Sequence, residues 1–220
     1  MDSFMRRMDS RKQKITRIAL QILRERGTDG LTLGNLSRAA CLSSDLLAEL
    51  FPEGDKELLM DTMAAAGVRW VEALRTEMKK TAEPSERLAH LARGFVLGSG
   101  THPEILSVYI DLWKLVKDRE DSYVRQRLCE LYQFYSASFA ELLVLAGVRE
   151  LPRGEREALS LLFTVLSDAV HVQSVTLNRA VDFEMLSTVT ARLLLRYYSL
   201  SERTVKKVLS PEKKPPYVGC

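Results

Sequence analysis

The sequence predicts an all-α protein, and three observations support this prediction. The runs 104–151 and 153–210 contain no proline, so long helices can continue through both. Apolar residues in these runs, and in most other segments, recur at spacings of three and four, which is the period of an amphipathic helix. No convincing strand-like alternation occurs, and most glycines stand where an apolar stripe ends. Together these features favour about nine helices.

Length and composition limit the class of protein. The 220 residues suit one domain, or one large domain with a small one attached. A hydrophobic fraction of 46% and a charged fraction of 28% are ordinary for a folded protein. The sequence has no apolar run long enough for a membrane span and no apolar secretion signal after its charged N-terminus. Three scattered cysteines favour a reducing compartment. We therefore expect a cytoplasmic protein without a membrane partner.

The N-terminal part of the chain predicts three short helices. A first helix over about 11–26 is stopped by Gly27. Thr32 is expected to cap a second helix, and a third starts at Ser43 or Ser44. The apolar residues that can form a small core between these helices are Ile18, Ile22, Leu33, Leu36, Leu42, Leu46 or Leu47, and Phe51.

Six further helices are predicted beyond the three short ones. Asp55 is expected to cap a long fourth helix, Ser85 opens the next, and another begins at Pro103. The remaining three cover about 121–146, 154–177 and 182–209. This organisation predicts three parts with the following bounds: a head over 1–54, a larger helical domain over 55–209, and a proline- and lysine-rich tail over 210–220 that we expect to be disordered.

The last two predicted helices, 154–177 and 182–209, carry apolar residues on more than one side. A helix that is apolar on two faces must be covered on two faces. A monomer of this size would struggle to cover both faces of both helices, so the sequence predicts a homodimer sealed by a four-helix bundle. The alternative is that each helix is buried deeply within one chain.

Three short helices followed by a long one, with a short turn between the second and third, indicate a helix-turn-helix module. Five segments of this region stand in the order and near the spacing of a known family: 17–27, 32–36, 40–43, 50–52 and 56–59. As a set they resemble the N-terminal DNA-binding domain of the TetR family of bacterial regulators. The rest of the chain is similar to that family in length and helical layout only.

The resemblance implies a TetR-like fold and a regulator that binds a palindromic operator as a dimer. Repression is the commoner mode in that family. A small ligand bound in the larger domain would shift the long fourth helix and change the separation of the two heads, which must meet half-sites about 34–36 Å apart.

The segment that would read DNA departs from the family pattern. Cys41, Ala48 and Leu50 stand where a glycine, a tyrosine and a histidine are usual. The third helix carries Asp45 and Glu49 but no lysine or arginine. An alternative therefore stays open: a TetR-fold protein that binds a small molecule or lipid and no longer reads DNA. Cys41 itself is either a redox-sensitive thiol or a small buried residue in place of glycine.

Charge is unevenly distributed over the head. Residues 1–26 contain eight basic and three acidic side chains, whereas residues 27–57 contain two basic and six acidic ones. Phosphate contacts are therefore expected from the N-terminal arm, from Lys56 and from backbone N–H groups at the starts of the second, third and fourth helices. Asp45 can accept a hydrogen bond from a cytosine amine. The predicted DNA-binding residues are Arg7, Arg11, Lys12, Lys14, Thr32, Ser43, Ser44, Asp45 and Lys56.

Aromatic residues lie on the helical stripes of the larger domain. The resemblance implies that this domain encloses a ligand, whereas core packing is the simpler interpretation of any single ring. An aromatic and aliphatic lining would suit a small hydrophobic or amphipathic effector. The predicted ligand-binding residues are Trp70, Phe95, Tyr109, Trp113, Tyr132, Tyr135, Phe139 and Phe163.

No catalytic, nucleotide-binding or metal-binding sequence motif occurs in the chain. Glu86 and His90 are four residues apart on one predicted helix, a spacing that can bind metal, although an isolated pair of this kind is more often a surface contact. We therefore expect no enzyme activity, no metal site and no cofactor.

Overall fold

The computed structural model describes residues 10–97, 122–148, 152–176 and 182–199. These residues form eight helices and no strand, which confirms the all-α prediction. In chain order the helices are α1 (Ser10–Gly30), α2 (Leu33–Ala40), α3 (Ser44–Leu50), α4 (Asp55–Lys80), α5 (Pro84–Leu97), α6 (Ser122–Leu145), α7 (Arg153–Thr176) and α8 (Phe183–Ser199).

Some predictions concern parts of the chain outside the described residues. These are the helix that begins at Pro103, the continuation of the last helix to 209, and the tail over 210–220. The predicted boundary between the head and the larger domain lies between residues 54 and 55, and α4 begins at that point. The division into domains itself stays a prediction.

The starts of α2 and α3 depend on hydroxyl caps, of which the sequence predicts the one at Thr32. The Thr32 hydroxyl oxygen accepts a hydrogen bond from the Asn35 N–H at 3.1 Å. The Ser43 hydroxyl oxygen accepts one from the Leu46 N–H at 3.3 Å. Each cap satisfies a backbone donor that has no partner within the helix. The turn between the helices is made by Cys41, whose φ of 53° lies in the left-handed region.

Gly27, at φ 67° and ψ −168°, is non-helical and separates two helical stretches within α1, which confirms the predicted stop at Gly27; a short second stretch continues to Gly30. Two other local predictions are corrected. Asp55 does not cap α4: Gly54 holds that position, and the Asp55 carboxylate accepts the Leu33 N–H at 2.7 Å, which ties α4 to α2. Helix α5 begins at Pro84 and not at Ser85.

The first half of α4 passes through the interior of the protein. Eight consecutive residues, 58–65, are buried, so this segment has no outward face. Helices α1, α5 and α6 pack around α4. The hydrophobic core continues from Leu36, Leu47 and Phe51 in the head into α4 and the larger domain. The head and the larger domain are therefore joined by one core.

Helices α7 and α8 complete the larger domain. Helix α7 packs on α6, and α8 packs on α5. None of the described helices is both long enough and apolar enough to cross a membrane.

Candidate functional site

Helix α3 presents a continuous exposed face beside its buried Leu47. The exposed residues are Ser44, Asp45, Ala48 and Glu49, which follow the helical spacing of one side. Two of the predicted DNA-binding residues, Ser44 and Asp45, therefore share this face. The structure adds Glu49 and Ala48 to it and brings no basic side chain of α3 there.

Thr32 and Ser43, which are predicted to bind DNA, also cap helices. Both hydroxyl oxygens accept cap hydrogen bonds, as described above, but a hydroxyl that accepts such a bond keeps its own proton to donate. Ser43 is exposed and Thr32 is half-buried. Each can therefore still donate to a phosphate or base without losing its cap.

Two of the predicted backbone anion sites are already occupied by carboxylates of the chain. The Leu33 N–H at the start of α2 donates to Asp55, and the Glu53 N–H before α4 donates to the Glu57 carboxylate at 3.0 Å. A phosphate would have to displace these acids or accept other donors. Both backbone sites are therefore less available to a phosphate than the sequence predicts.

The predicted basic residues are placed unequally. Lys14 is exposed on α1. Lys56 is half-buried, pairs with Glu53 at 3.0 Å, and lies 5.4 Å from the ring centroid of Tyr123. Arg7 and the side chain of Arg11 lie outside the described residues.

Lys12 points into the protein. Its Nζ atom donates to Glu57 Oε1 at 2.8 Å and Asp61 Oδ2 at 3.2 Å, and lies 4.8 Å from the Phe51 ring centroid. Burial alone would lower the pKa of Lys12, but the two carboxylates raise it above its ordinary value. The lysine is thus already neutralised within the fold, and we leave it out of the proposed DNA-binding set below.

The same carboxylate of Asp61 reaches the larger domain. Asp61 Oδ1 accepts from Arg127 Nη2 at 2.8 Å, and Arg127 Nη1 donates to Glu130 Oε2 at 2.6 Å. Only 5% of the Asp61 side chain is exposed. Lys12, Glu57, Asp61, Arg127 and Glu130 form what we call the Asp61 cluster. It links α1 of the head to α6 of the larger domain through α4.

A group of arginines escaped the sequence analysis. Arg69 on α4 has a lowered pKa because burial and the nearby charges of Arg17 and Arg24 disfavour its protonated form. Arg17 and Arg24 are seven residues apart, so both lie on the same side of α1. Their spacing was the only signal in the sequence, and the approach of α4 could not be read from it.

The described aromatic residues of the predicted ligand region fall into two groups. Phe139 and Phe163 are buried and stacked, with ring centroids 4.7 Å apart, so they pack in the core. Trp70, Tyr132 and Tyr135 are only half-buried. Tyr109, Trp113 and the side chain of Phe95 lie outside the described residues.

The half-buried rings lie close to α4. Trp70 and Tyr135 meet edge to face, with centroids 6.0 Å apart. The Tyr135 hydroxyl lies over Gly67, where a Cβ atom would collide with it. Glycine at 67 therefore makes room for this tyrosine between α4 and α6.

Asp168 on α7 is a further residue that the sequence analysis missed. It is partly buried and accepts a hydrogen bond from the Tyr132 hydroxyl. Burial raises the pKa of Asp168 to about 6, although the hydrogen bond from Tyr132 acts in the opposite direction. In the sequence, the only sign of this residue was an acid in an otherwise apolar helical stretch.

Helices α7 and α8 expose a set of large apolar side chains. On α7 this exposure covers neighbouring positions of one side, and Leu161 is 59% exposed. On α8 Leu193 is 63% exposed. The full set is Leu161, Leu162, Val165, Leu166, Met185, Val189 and Leu193. We call it the α7–α8 apolar face.

The described residues also bear on the patterns of a metal site and of a buried thiol. Within these ranges no three His, Cys, Asp or Glu side chains lie together as metal ligands would. Cys41 is exposed, so its interpretation as a small buried residue is wrong.

No protein-family model matches the chain, and no curated protein is significantly similar to it in sequence. Solved structures do match it. A TetR transcription regulator from Haloarcula marismortui has a TM-score of 0.62 at 14% identity, over 84% of this chain and 96% of that one. Thermus thermophilus FadR, a TetR-family repressor in complex with lauroyl-CoA, has a TM-score of 0.61 at 20% identity, over 84% and 93%.

A third similar structure comes from Saccharomonospora viridis. It is assigned as a transcriptional regulator and is in complex with choline; the TM-score is 0.61 at 15% identity, over 85% of this chain and 96% of that one. These comparisons cover most of each chain and confirm the TetR-like fold predicted from the sequence.

Proposed function

We propose that this protein is a ligand-responsive transcriptional regulator that binds DNA as a homodimer. The observation that supports the proposal most is that one chain combines a capped helix-turn-helix head with the exposed apolar side chains of the α7–α8 apolar face. The head supplies an exposed helix that can read DNA. The apolar face can hold two chains together, so that two heads act on one DNA site. The fold shared with TetR-family regulators agrees with both.

The homodimer would form through the α7–α8 apolar face. Seven large apolar side chains there are 41–63% exposed. Single exposed apolar side chains need no explanation, but a set of this size indicates an interaction surface. Covering each of them would contribute on the order of 1 kcal/mol. A symmetric contact between two copies would use the same surface of both chains, so it would bury these side chains in each copy. Two heads related by a two-fold axis would then meet the two halves of a palindrome.

DNA binding would use the exposed face of α3 together with basic side chains around it. The proposed contacts are Arg7, Arg11, Lys14, Thr32, Ser43, Ser44, Asp45 and Lys56. Because α3 has no cation, its phosphate attraction must come from α1 and the N-terminal arm. We place base reading at Ser44 and Asp45, the two predicted residues that lie on the exposed face.

The effector would bind in the larger domain beside Trp70, Tyr132 and Tyr135. Among the proteins of similar fold, one holds lauroyl-CoA and another holds choline. A small hydrophobic or amphipathic molecule is the corresponding expectation here. Repression, with release of DNA on effector binding, is the mode we propose.

The Asp61 cluster provides a physical route between the two regions. Arg127 belongs to α6, which carries Tyr132 and Tyr135, and Lys12 belongs to α1 of the head. Both cations share one carboxylate. A displacement of α6 by an effector would therefore pull on the ion pair that fixes α1, and the two states of the head would differ in energy.

The experiment that tests the proposal is selection of bound duplexes from random DNA by the full-length chain, at about 50 and 200 mM salt. Enrichment of a palindrome, with binding that weakens steeply at the higher salt, supports the regulator. Recovery of no sequence contradicts it.

A matched pair of variants locates the reading face. Asp45→Asn and Glu25→Gln each remove one negative charge from the head, and both residues are exposed. Asp45 lies on the outer face of α3, whereas Glu25 lies on α1. We expect Asp45→Asn to change the selected bases and Glu25→Gln to keep them. Unchanged bases for both variants would contradict our placement of α3 in the groove.

A second candidate function is supported by one specific observation. The exposed face of α3 carries Asp45 and Glu49 without a basic residue, which disfavours binding to phosphates. A TetR-fold carrier of a small molecule or lipid, with a head that no longer reads DNA, would tolerate this. Failure of the selection together with retained ligand binding would favour that function.

A further inference from the structure

Helix α7 exposes apolar side chains and buries polar ones, the reverse of the usual arrangement on a surface helix. Its apolar residues Leu161 and Val165 are exposed, whereas Ser160 and Thr164 are 0% and 5% exposed. Asp168 continues the buried polar positions at the same spacing of four, so the three lie on one side of the helix. Helix α7 packs on α6. A polar stripe therefore follows the interior side of α7.

Two members of this stripe are already satisfied by their own helix. The Ser160 hydroxyl donates to the Arg156 carbonyl at 2.7 Å, and the Thr164 hydroxyl donates to the Ser160 carbonyl at 2.9 Å. Within the part of the chain that the structure describes, the partner of Asp168 is the hydroxyl of Tyr132, which is neutral. The stripe thus ends in a carboxylate without a cation from the described helices.

A partly buried carboxylate normally acquires a counter-charge or loses its own. Asp61 acquires two cations, from Lys12 and Arg127. Burial has instead raised the pKa of Asp168 to about 6, so the carboxyl is still mostly ionised at pH 7.5. The described helices hold this charge in a place where water solvates it poorly, which is unfavourable until a cation arrives.

The surroundings of Asp168 suit a particular kind of cation. Tyr132, its hydrogen-bond partner, is three residues from Tyr135 on α6, so the two rings share a face. Tyr135 in turn meets Trp70 of α4 edge to face. All three rings are half-buried. Aromatic faces attract organic cations, and most strongly where water is excluded.

We propose that Asp168, Tyr132, Tyr135 and Trp70 form a subsite for the positively charged nitrogen of an organic ammonium effector. The inference rests on the proposed function, because it names the chemical class of the molecule to which the regulator responds. The carboxylate supplies the opposite charge, the rings supply cation–π attraction, and the apolar part of the effector lies along the neighbouring core. An anionic head group would be repelled, and a neutral one would leave the carboxylate unpaired.

A purely structural role for Asp168 predicts a different outcome. If the carboxylate only orients Tyr132, or pairs with a cation elsewhere in the chain, then Asp168→Asn weakens the fold. If it is an uncompensated charge kept for a ligand, the ligand-free Asp168→Asn chain is at least as stable as the wild type, because the desolvated charge is gone and the amide oxygen still accepts from Tyr132.

The test uses three probes of equal chain length below their micellar concentrations: octyltrimethylammonium, octanol and octanoate. Binding to the full-length chain is measured by isothermal titration calorimetry at pH 7.5. We expect octyltrimethylammonium to bind at least about tenfold more tightly than either other probe. Asp168→Asn should remove most of this preference while it leaves the octanol affinity unchanged, and Tyr132→Phe should weaken it less.

Glu155→Gln is the matched control, since Glu155 is an exposed acid on the same helix. It removes the same charge and should leave all three affinities unchanged. The proposal is overturned if the three probes bind alike, if none binds, if Glu155→Gln has the effect expected of Asp168→Asn, or if ligand-free Asp168→Asn has a lower melting temperature than the wild type. A palindrome recovered by the DNA selection together with any of these results would leave the proposed function standing and remove only this subsite.

Discussion

Helix α4 carries a buried aspartate and α7 a partly buried one, and the two carboxylates have different partners. Asp61 lies in the segment of α4 that is buried on all sides, and it binds a lysine from α1 and an arginine from α6. Asp168 lies on a helix with exposed apolar residues and with polar residues among those that it buries, and a tyrosine hydroxyl is its described partner. The first carboxylate is completed by the fold, whereas the second is left for something that the described residues do not supply.

This difference indicates that Asp61 links helices within the fold, whereas Asp168 is available to bind a ligand. A buried carboxylate with two cations fixes the relative positions of the helices that carry them, because any separation leaves charges unpaired. A buried carboxylate without a cation fixes nothing and lowers stability, which a protein tolerates where a ligand binds. We therefore regard Asp61 as the connection between head and larger domain, and Asp168 as the centre of effector recognition.

The largest expected effect on stability comes from removing the charge of Asp61. Asp61→Asn leaves Lys12 and Arg127 in the interior without their shared counter-charge. We expect a loss of about 3 kcal/mol in the free energy of unfolding, the usual cost of removing one partner of a buried ion pair. Urea denaturation at a fixed protein concentration measures it. Glu141→Gln, which breaks an ion pair of Arg75 at a 52%-exposed carboxylate, is the control and should cost less than about 1 kcal/mol. Equal losses for both variants would contradict the distinction.

The second effect concerns the outer side of α7. Replacing exposed Leu161 and Val165 by glutamate would place four like charges into the proposed dimer contact, two from each chain. We expect the dimer dissociation constant to rise by about 100-fold or more, measured by sedimentation equilibrium. The same two substitutions should leave the helical content unchanged, because both side chains are solvent-exposed in a single chain. A wild-type chain that is monomeric at micromolar concentration would contradict the dimer before any variant is made.

A smaller effect is expected from neutralising Asp168. Because the folded-state pKa of about 6 lies above the ordinary value for aspartate, ionisation opposes folding. Wild-type stability should fall as the pH rises from about 4 to about 6 on account of this group, and the loss persists above pH 6. We expect Asp168→Asn to be more stable than the wild type by about 1 kcal/mol at pH 7.5, with the difference vanishing below about pH 4. A difference that grows towards low pH would have the wrong sign.

The smallest expected effect is that of Tyr132→Phe on the ionisation of Asp168. The hydroxyl of Tyr132 donates to the charged carboxylate and so lowers its pKa. Its removal should raise the pKa of Asp168 further, by less than about one unit. Nuclear magnetic resonance titration of the aspartate side-chain carboxyl carbon would measure this. A lowered pKa in the variant would mean that the hydroxyl does not bond to the ionised form.

The parts of the structure that could be predicted are those decided locally. The sequence predicts the Thr32 cap because a cap needs only a hydroxyl and the next few residues, whereas it predicts only that the third helix starts at Ser43 or Ser44, and the structure makes Ser43 the cap. For α3 the sequence leaves Leu46 or Leu47 as the core residue, and the structure buries Leu47. The exposed apolar side of α7 and α8 followed from the helical period, since it required no knowledge of which helix packs on which.

The parts that could not be predicted depend on residues far apart in the chain. Lys12 was expected to face DNA, yet its partners Glu57 and Asp61 are 45 and 49 residues away. A basic residue near the N-terminus looks the same in sequence whether it meets a phosphate or a buried acid. Asp168 could not be singled out for a similar reason: its significance depends on burial and on Tyr132 of another helix.

Whether the head reads DNA sequence is measured by a ratio of two affinities. The affinity of the full-length chain for the selected palindrome is compared with its affinity for a scrambled duplex of the same length and composition, at about 150 mM salt. We expect a ratio of at least about 1,000, as for sequence-specific regulators. Equal affinities for the two duplexes would contradict this expectation and would leave α3 as part of a scaffold.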